Sequence, residues 1–343
     1  SSAIPVADSL QPSRASDRIA TVLDELRARL GDGAVDYARG CGLLDGTDEE
    51  IAEAVAAAGA ADVAVLVMGE RSGLTDDALC GETRDRLDLG LPGRQQELLE
   101  AVVATGTPVV LVLMSGRPLA VPWAADHCAA VLHAWVPGDL GGRAIVDVLT
   151  GLTNPGGKLP ISVPRAVGQV PVNYAHRPTG GHTNWNVEYV DGSNLPLWPF
   201  GFGRSYTSFE LSDLRLDTTE IDTDGEVLVS ATVHNTGKRA GDEVVQLYVR
   251  DVAASLTRPV KELRGFARVS LDPDERRTVR FSLAAEQLAF VDVPGQWLVE
   301  PGEFRLMVGT SSADLPLETS LRVVGEPTVI SERKRFLTLV DLA

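Results

Sequence analysis

Asp62-Val63-Ala64-Val65-Leu66-Val67-Met68 is an apolar run with no polar alternation, and it leaves through Gly69-Glu70. A run of this length, bounded by a helical pattern on one side and a polar loop on the other, reads as a strand buried on both faces. A second such run, 108–114, follows a helical stretch at 92–105, with Pro92 expected in its first turn. Together they predict parallel strands joined by helical crossovers.

Working outward, the alternation continues. Residues 17–30 carry apolar positions three and four apart and predict an amphipathic helix ended by Gly31 and Gly33, with a short strand expected at 35–38. Residues 48–60 predict a helix capped by Thr47 or Asp48, with acids in its first turn. Downstream, 129–136 reads as a strand, 142–149 as a helix and 158–163 as a shorter strand. From residue 209 the period changes. Glu226 to His234 alternates strictly, Asn235-Thr236-Gly237 makes a turn, and strands are expected at 243–250, 264–269, 276–283 and 302–309. The expected fold class is therefore α/β plus all-β: a mainly parallel sheet covered by helices on both faces, then an antiparallel β-sandwich. The expected domains are 1–167 (α/β), 168–207 (a long irregular loop), 208–328 (the sandwich) and 329–343 (a C-terminal tail).

Composition narrows the function classes. The chain has 343 residues, enough for two domains, with 44% hydrophobic and 23% charged residues, as in an ordinary globular protein. A formal charge of −17 argues against nucleic acid, which needs clustered Lys and Arg. No apolar run reaches the roughly 20 residues that span a bilayer, so no membrane partner is expected. Cys41, Cys80 and Cys128 have no metal-like spacing and read as reduced thiols. Neither a metal nor a cofactor is expected. Gly138-Asp139-Leu140-Gly141-Gly142 precedes a helix but lacks the spacing of a nucleotide loop. With no signal-like segment at its start, the chain is expected to be cytoplasmic. A homo-oligomer is compatible with this composition.

The chemistry is concentrated after the first strand, in Gly81-Glu82-Thr83-Arg84-Asp85-Arg86-Leu87-Asp88-Leu89-Gly90-Leu91-Pro92. In open α/β sheets ligands sit beyond the carboxyl ends of the strands, where this loop falls. Glu82 is the candidate proton-handling group. Glu70, Asp76, Asp77, Asp85 and Asp88 share the loop, and a salt-bridged role near Arg84 or Arg86 is the alternative for Glu82. A second concentration lies between Asn173 and Phe200, with Tyr174, His176, His182, Trp185, Asn186, Tyr189 and Trp198. Aromatic planes and amides suit sugars, so this loop is either a subsite wall or a packing segment.

These strings resemble glycoside hydrolase family 3, in the C-terminal part of its β-glucosidases, over nearly the whole chain. Glu82-Thr83-Arg84-Asp85-Arg86 with Asp88-Leu89-Gly90-Leu91-Pro92 is similar to the family's Glu-x-x-Asp-Arg segment. Ser115-Gly116-Arg117-Pro118, Trp135-Val136-Pro137-Gly138, the Gly141–Gly151 segment, Asn154-Pro155-x-Gly157-Lys158-Leu159-Pro160 and Pro199–Thr207 are also similar. Gln246–Asp251, Lys261–Phe266 and Pro301–Phe304 resemble the fibronectin type III-like domain that many members append.

The resemblance implies a retaining mechanism with Glu82 as general acid/base; as substrate contacts the candidates are Arg86, beside it, and Trp185 and Tyr189 of the aromatic loop. Asp85 and Arg86 are expected to hold the loop's shape through an ion pair, or to meet the family's barrel. It also implies a partner, because the family's nucleophilic aspartate lies on a (β/α)8 barrel. Such a barrel needs roughly 250 residues of repeating βα units, which this sequence does not contain. By itself the chain is expected to be inactive, and a non-catalytic scaffold or carbohydrate-binding portion of a glycosidase-like protein is the alternative function. One departure stands out: the family usually has Gly after the glutamate, where this chain has Thr83.

Overall fold

The computed structural model describes residues 19–178, 188–330, 335 and 338–343. They form two compact units. One comprises the described residues up to Thr153 with Arg165–Val167, and the other Asn154–Pro164 with the described residues from Gly168 onward.

In the first unit the helices begin where side chains can cap them. Thr21 precedes α1 (Val22–Leu30): its hydroxyl accepts from the Asp24 N–H at 3.2 Å, and the Asp24 carboxylate accepts from the Thr21 N–H at 2.9 Å. Thr47 and Glu50 repeat this reciprocal cap on α2 (Asp48–Ala60). Between and after them run β1 (Ala64–Gly69), α3 (Gln95–Val103), β2 (Val109–Met114), α4 (Pro122–His127), β3 (Ala130–His133) and α5 (Gly141–Leu149).

The three strands are parallel in the order β1-β2-β3, with Ala64 opposite Val109 and Val110 opposite Ala130. Val65, Val112, Met114 and Leu132 pack against Val22 and Leu26 of α1 and against Ile145, Val146 and Leu149 of α5. Strand alternation turns Leu111 and Leu113 to the opposite side, where they too are buried, as are Leu98, Leu99 and Val102 of α3. Helices therefore cover both faces.

Two expected strands are absent. Residues 35–38 are irregular, following a single 3-10 turn at Asp32–Ala34. Residues 158–163 form no strand of the parallel sheet. Their backbone bonds to a loop instead: Leu159 N–H donates to Phe202 O and Val163 N–H to Trp198 O, both at 2.8 Å. The third strand is shorter than expected because Trp135 takes a left-handed φ of 54°, which extended backbone cannot accommodate. Pro92 also lies outside its helix, since Gly93 has φ 56° and α3 starts at Gln95.

The second unit is the sandwich. Its strands are β4 (Phe209–Leu216), β5 (Glu220–Asp222), β6 (Glu226–Asn235), β7 (Gly241–Asp251), β8 (Glu262–Leu271), β9 (Arg276–Ala284), β10 (Phe290–Val291), β11 (Trp297–Val299), β12 (Gly302–Gly309), β13 (Leu317–Val324), β14 (Thr328–Ile330) and β15 (Leu339–Leu342). One sheet has the order β5-β13-β12-β7-β8, the other β15-β9-β6-β4, and β10-β11-β14 form a small third sheet. Val227, Val229, Ala231 and Val233 of β6 meet Val245, Leu247 and Val249 of β7 and Leu306 and Val308 of β12 in one core. The segment expected as a tail contributes β15, which pairs antiparallel with β9.

Candidate active site

The site is built on the carboxyl end of β1. Gly69 has φ 134°, and a Cβ there would lie 2.1 Å from Met114 O, so only glycine lets the ends of β1 and β2 close together. Gln95, the buried first residue of α3, holds the same peptide from the side. Its Oε1 accepts from Gly69 N–H at 2.8 Å and its Nε2 donates to Gly69 O at 2.9 Å. Glu70 therefore leaves the sheet in a fixed position, its N–H donating to Met114 O at 2.8 Å.

The Glu70 carboxylate is fully buried and saturated. Oε1 accepts from Arg86 Nη1 at 2.7 Å and Arg117 Nη2 at 2.8 Å; Oε2 accepts from Arg117 Nε at 2.9 Å and Ser115 Oγ at 3.0 Å. Burial pushes its pKa up, but the Arg117 and Arg86 guanidiniums and the Ser115 hydroxyl outweigh it and hold the group below the ordinary carboxylate range. An acid held ionised, with every lone pair occupied, has no proton to give.

From Glu70 the chain makes a self-bonded excursion. Leu79 N–H donates to Arg71 O at 2.9 Å, Gly73 N–H to Cys80 O at 3.1 Å, and Ser72 Oγ meets Cys80 Sγ at 2.9 Å. It ends in a tight turn closed by Arg84 N–H to Gly81 O at 3.2 Å, with Glu82 and Thr83 at the tip. Thr83 has φ 63°. Positive φ at the third position marks a turn that asks for glycine there, so the Gly-to-Thr departure falls on the one turn residue whose backbone is strained.

Glu82 is exposed at this tip, and its side chain has no ion pair or hydrogen bond among the described residues. Both neighbouring cations are engaged elsewhere. Arg84 donates to Asp76 Oδ1 at 2.8 Å and Asp76 O at 3.0 Å, and Arg86 donates to Glu70 and, at 2.9 Å, to Gly90 O. The salt-bridged alternative for Glu82 is thus not formed. Below the turn lies a hollow of about 390 Å³ lined by Ala78, Leu79, Thr83, Arg84, Asp85 and Arg86. A larger one, about 800 Å³, lies on the sandwich, where Glu303 and Arg322 are its ionisable lining. Depth alone does not make a site; the smaller hollow adjoins the ionisable loop.

At the end of β3, burial lowers the His133 pKa to about 4, so the ring is neutral at pH 7. It lies 5.7 Å from the Trp135 ring, tilted by 41°.

The other expected contacts are placed unevenly. Arg86 sits in the Glu70 cluster. Trp185 lies outside the described residues, as do His182 and Asn186. Tyr189 is exposed and forms a small bridge with Gly192. Tyr174 packs on the sandwich, its ring stacked on Phe200 at 4.5 Å and edge-on to Tyr248 at 5.7 Å. Sequence reasoning passed over Gln95 and the bonds of Arg117 to Glu70. A Gln opening a helix and an Arg after a strand carry no local signal of the groups they will bind.

Comparison with known proteins bears on the family and the fold. Residues 7–206 match the glycosyl hydrolase family 3 C-terminal domain, and residues 243–312 the fibronectin type III-like domain. A periplasmic beta-glucosidase of Salmonella typhimurium is 42% identical over 320 residues, covering 85% of this chain and 41% of that protein. A beta-xylosidase of Formosa agariphila is 43% identical over 300 residues, covering 87% of this chain and 41% of that protein. A beta-glucosidase from Listeria innocua, solved with isofagomine, aligns with a TM-score of 0.82 at 36% identity, covering 90% of this chain and 43% of its own. The chain spans about two fifths of the length of these relatives. With its parallel α/β unit, its β-sandwich and these matches, the chain belongs to glycoside hydrolase family 3.

Proposed function

We propose that this chain supplies the general acid/base, Glu82, of a retaining β-glucosidase whose nucleophilic aspartate stands on a (β/α)8 barrel. The observation that carries the reading is the contrast between two glutamates. Glu70 is saturated and held ionised, whereas Glu82 stands exposed at a turn tip with no partner among the described residues. The scaffold alternative calls for a Glu82 locked in ion pairs, so its exposure supports the catalytic reading.

In a retaining reaction the two carboxyl groups lie about 5–5.5 Å apart across the scissile bond. The aspartate attacks the anomeric carbon while Glu82 gives its proton to the departing glycosidic oxygen. The Glu82 carboxylate then takes a proton from water, whose oxygen attacks the same carbon and releases the sugar with its configuration retained. The exposed turn gives Glu82 reach toward a substrate held by another surface. Relatives named as a beta-glucosidase and a beta-xylosidase support a β-linked pyranoside as the substrate class, with glucose favoured by the family resemblance.

Without the nucleophile, proton donation leaves the oxocarbenium-like transition state unsupported, so these residues alone should not turn over an aryl β-glucoside. Turnover by the isolated chain would overturn the reading. In the enzyme that joins this chain to its barrel, Glu82→Ala should lower kcat about 10²–10⁴-fold on glucosides with poor leaving groups. Azide should restore part of the rate on an activated aryl glucoside.

A further inference from the structure

We propose that Arg117 is a positioning residue for the proton donor, clamping the segment 85–90 to the end of β2 and thereby fixing where the Glu82 turn stands. The inference rests on the reading of Glu82 as general acid/base.

Every N–H of the Arg117 guanidinium is used. Nε and Nη2 grip the two oxygens of Glu70 at 2.9 and 2.8 Å, Nη1 donates to Asp85 Oδ1 at 2.7 Å and Arg86 O at 3.0 Å, and Nη2 also donates to Asp88 O at 2.7 Å. Three of these five bonds run to the loop segment immediately after the Glu82 turn, and two of those three are to backbone oxygens. The other two bonds run to a carboxylate fixed at the end of β1. Arg117 is itself held near β2, because its backbone N–H donates to Ser115 Oγ at 3.1 Å. One planar fork thus ties the loop to two adjacent strand ends.

The charges within the cluster cancel, Arg86 and Arg117 against Glu70 and Asp85, so the clamp fixes geometry without imposing a net field. It also explains how a threonine keeps φ 63° beside Glu82: a strained backbone persists where its surroundings over-determine it. Arg84 on Asp76 holds one side of the turn and Arg117 the other. Lysine offers a compact ammonium with three donors and cannot serve these five bonds in one plane.

The test compares leaving groups in the enzyme that joins this chain to its barrel. A dinitrophenyl glucoside departs without protonation, whereas an alkyl glucoside needs the acid. Small misplacement of a reacting group is costly, so Arg117→Lys should lower kcat/KM at least about tenfold on the alkyl glucoside, through kcat and with KM within about twofold. On the dinitrophenyl glucoside the loss in kcat/KM, which reports only the step up to aglycone departure, should stay under about threefold. Asp85→Ala removes one exposed strut, leaves the Glu70 pair intact, and should show the same split with smaller amplitude. In a Glu82→Ala background, Arg117→Lys should cause no further leaving-group-selective loss, because the group it aims is gone.

Equal losses of kcat/KM on both substrates, no loss on either, or an undiminished effect in the Glu82→Ala background would overturn the positioning role and leave Glu82 in place. If Glu82→Ala itself shows no leaving-group dependence, the reading of Glu82 has failed and this inference goes with it. If Arg117→Lys does not accumulate folded, Asp85→Ala decides alone.

Discussion

Thr83 carries a β-branched side chain at φ 63°, a backbone region that costs a non-glycine residue about 1–3 kcal/mol. Glycine would remove that strain and give back about 0.5–1 kcal/mol through the freedom of the unfolded chain. Thr83→Gly should therefore stabilise the α/β unit by about 1 kcal/mol, read as a rise in urea midpoint at unchanged slope; a lower midpoint would count against a strained turn. Glu82 could be picked out from sequence as a candidate proton donor, because a dense knot of charges follows a buried strand at its carboxyl end. Its freedom from Arg84 and Arg86 could not, since those arginines find Asp76 and Glu70 only once the excursion 71–81 has folded back. The role of Arg117 was hidden for the same reason, as its partners lie about thirty residues away on another loop.

Elements succeed or fail at their ends. The closure of β1 on β2 depends on Gly69, and a Cβ there meets a backbone oxygen that cannot swing aside. Gly69→Ala should lower stability by about 2–4 kcal/mol and loosen the loop that follows, as measured by urea unfolding and by amide exchange of residues 70–90. His133 at the end of β3 is neutral in the fold with a pKa of about 4, against 6.5 when free. Its folded pKa is the lower one, so the unfolded chain binds more protons between those values, and stability falls as pH drops from about 6.5 toward 4. His133→Gln should remove part of that fall, on the order of 1–2 kcal/mol between pH 7 and pH 5. An unchanged pH slope would place the loss elsewhere. Buried strands were legible because long apolar runs have few alternatives. The segments 35–38 and 158–163 were misread because a short apolar run looks the same in a strand as in a clasp. Six-residue α4 and the short strands β10, β11 and β14 carry too little pattern to be seen.

At the scale of the molecule, the sandwich is larger than its strands. Lys158 reaches Glu243 of β7 at 2.7 Å with both side chains nearly buried, Asn154 bonds Ser205, Tyr206 and Ala240, and Gln246 donates to Gly201 O. Losing one partner of a buried pair costs about 3–5 kcal/mol, a large share of a domain's total of about 5–15 kcal/mol. Residues 154–343 should therefore fold as a cooperative β-rich unit, whereas 208–343, with Glu243 left unpaired, should be largely unfolded by circular dichroism and urea titration. Equal stability of the two fragments would show that the clasp is dispensable. The central claim concerns a proton donor at Glu82 in a reaction that retains configuration, and the most direct measurement is the product that Glu82→Ala, in the enzyme that joins this chain to its barrel, makes from an activated aryl β-glucoside in azide. With the acid/base gone, azide should take the place of water on the covalent intermediate and give β-glucosyl azide, identified by its anomeric NMR coupling. An α-configured azide, or glucose alone at an unchanged rate, would contradict that assignment.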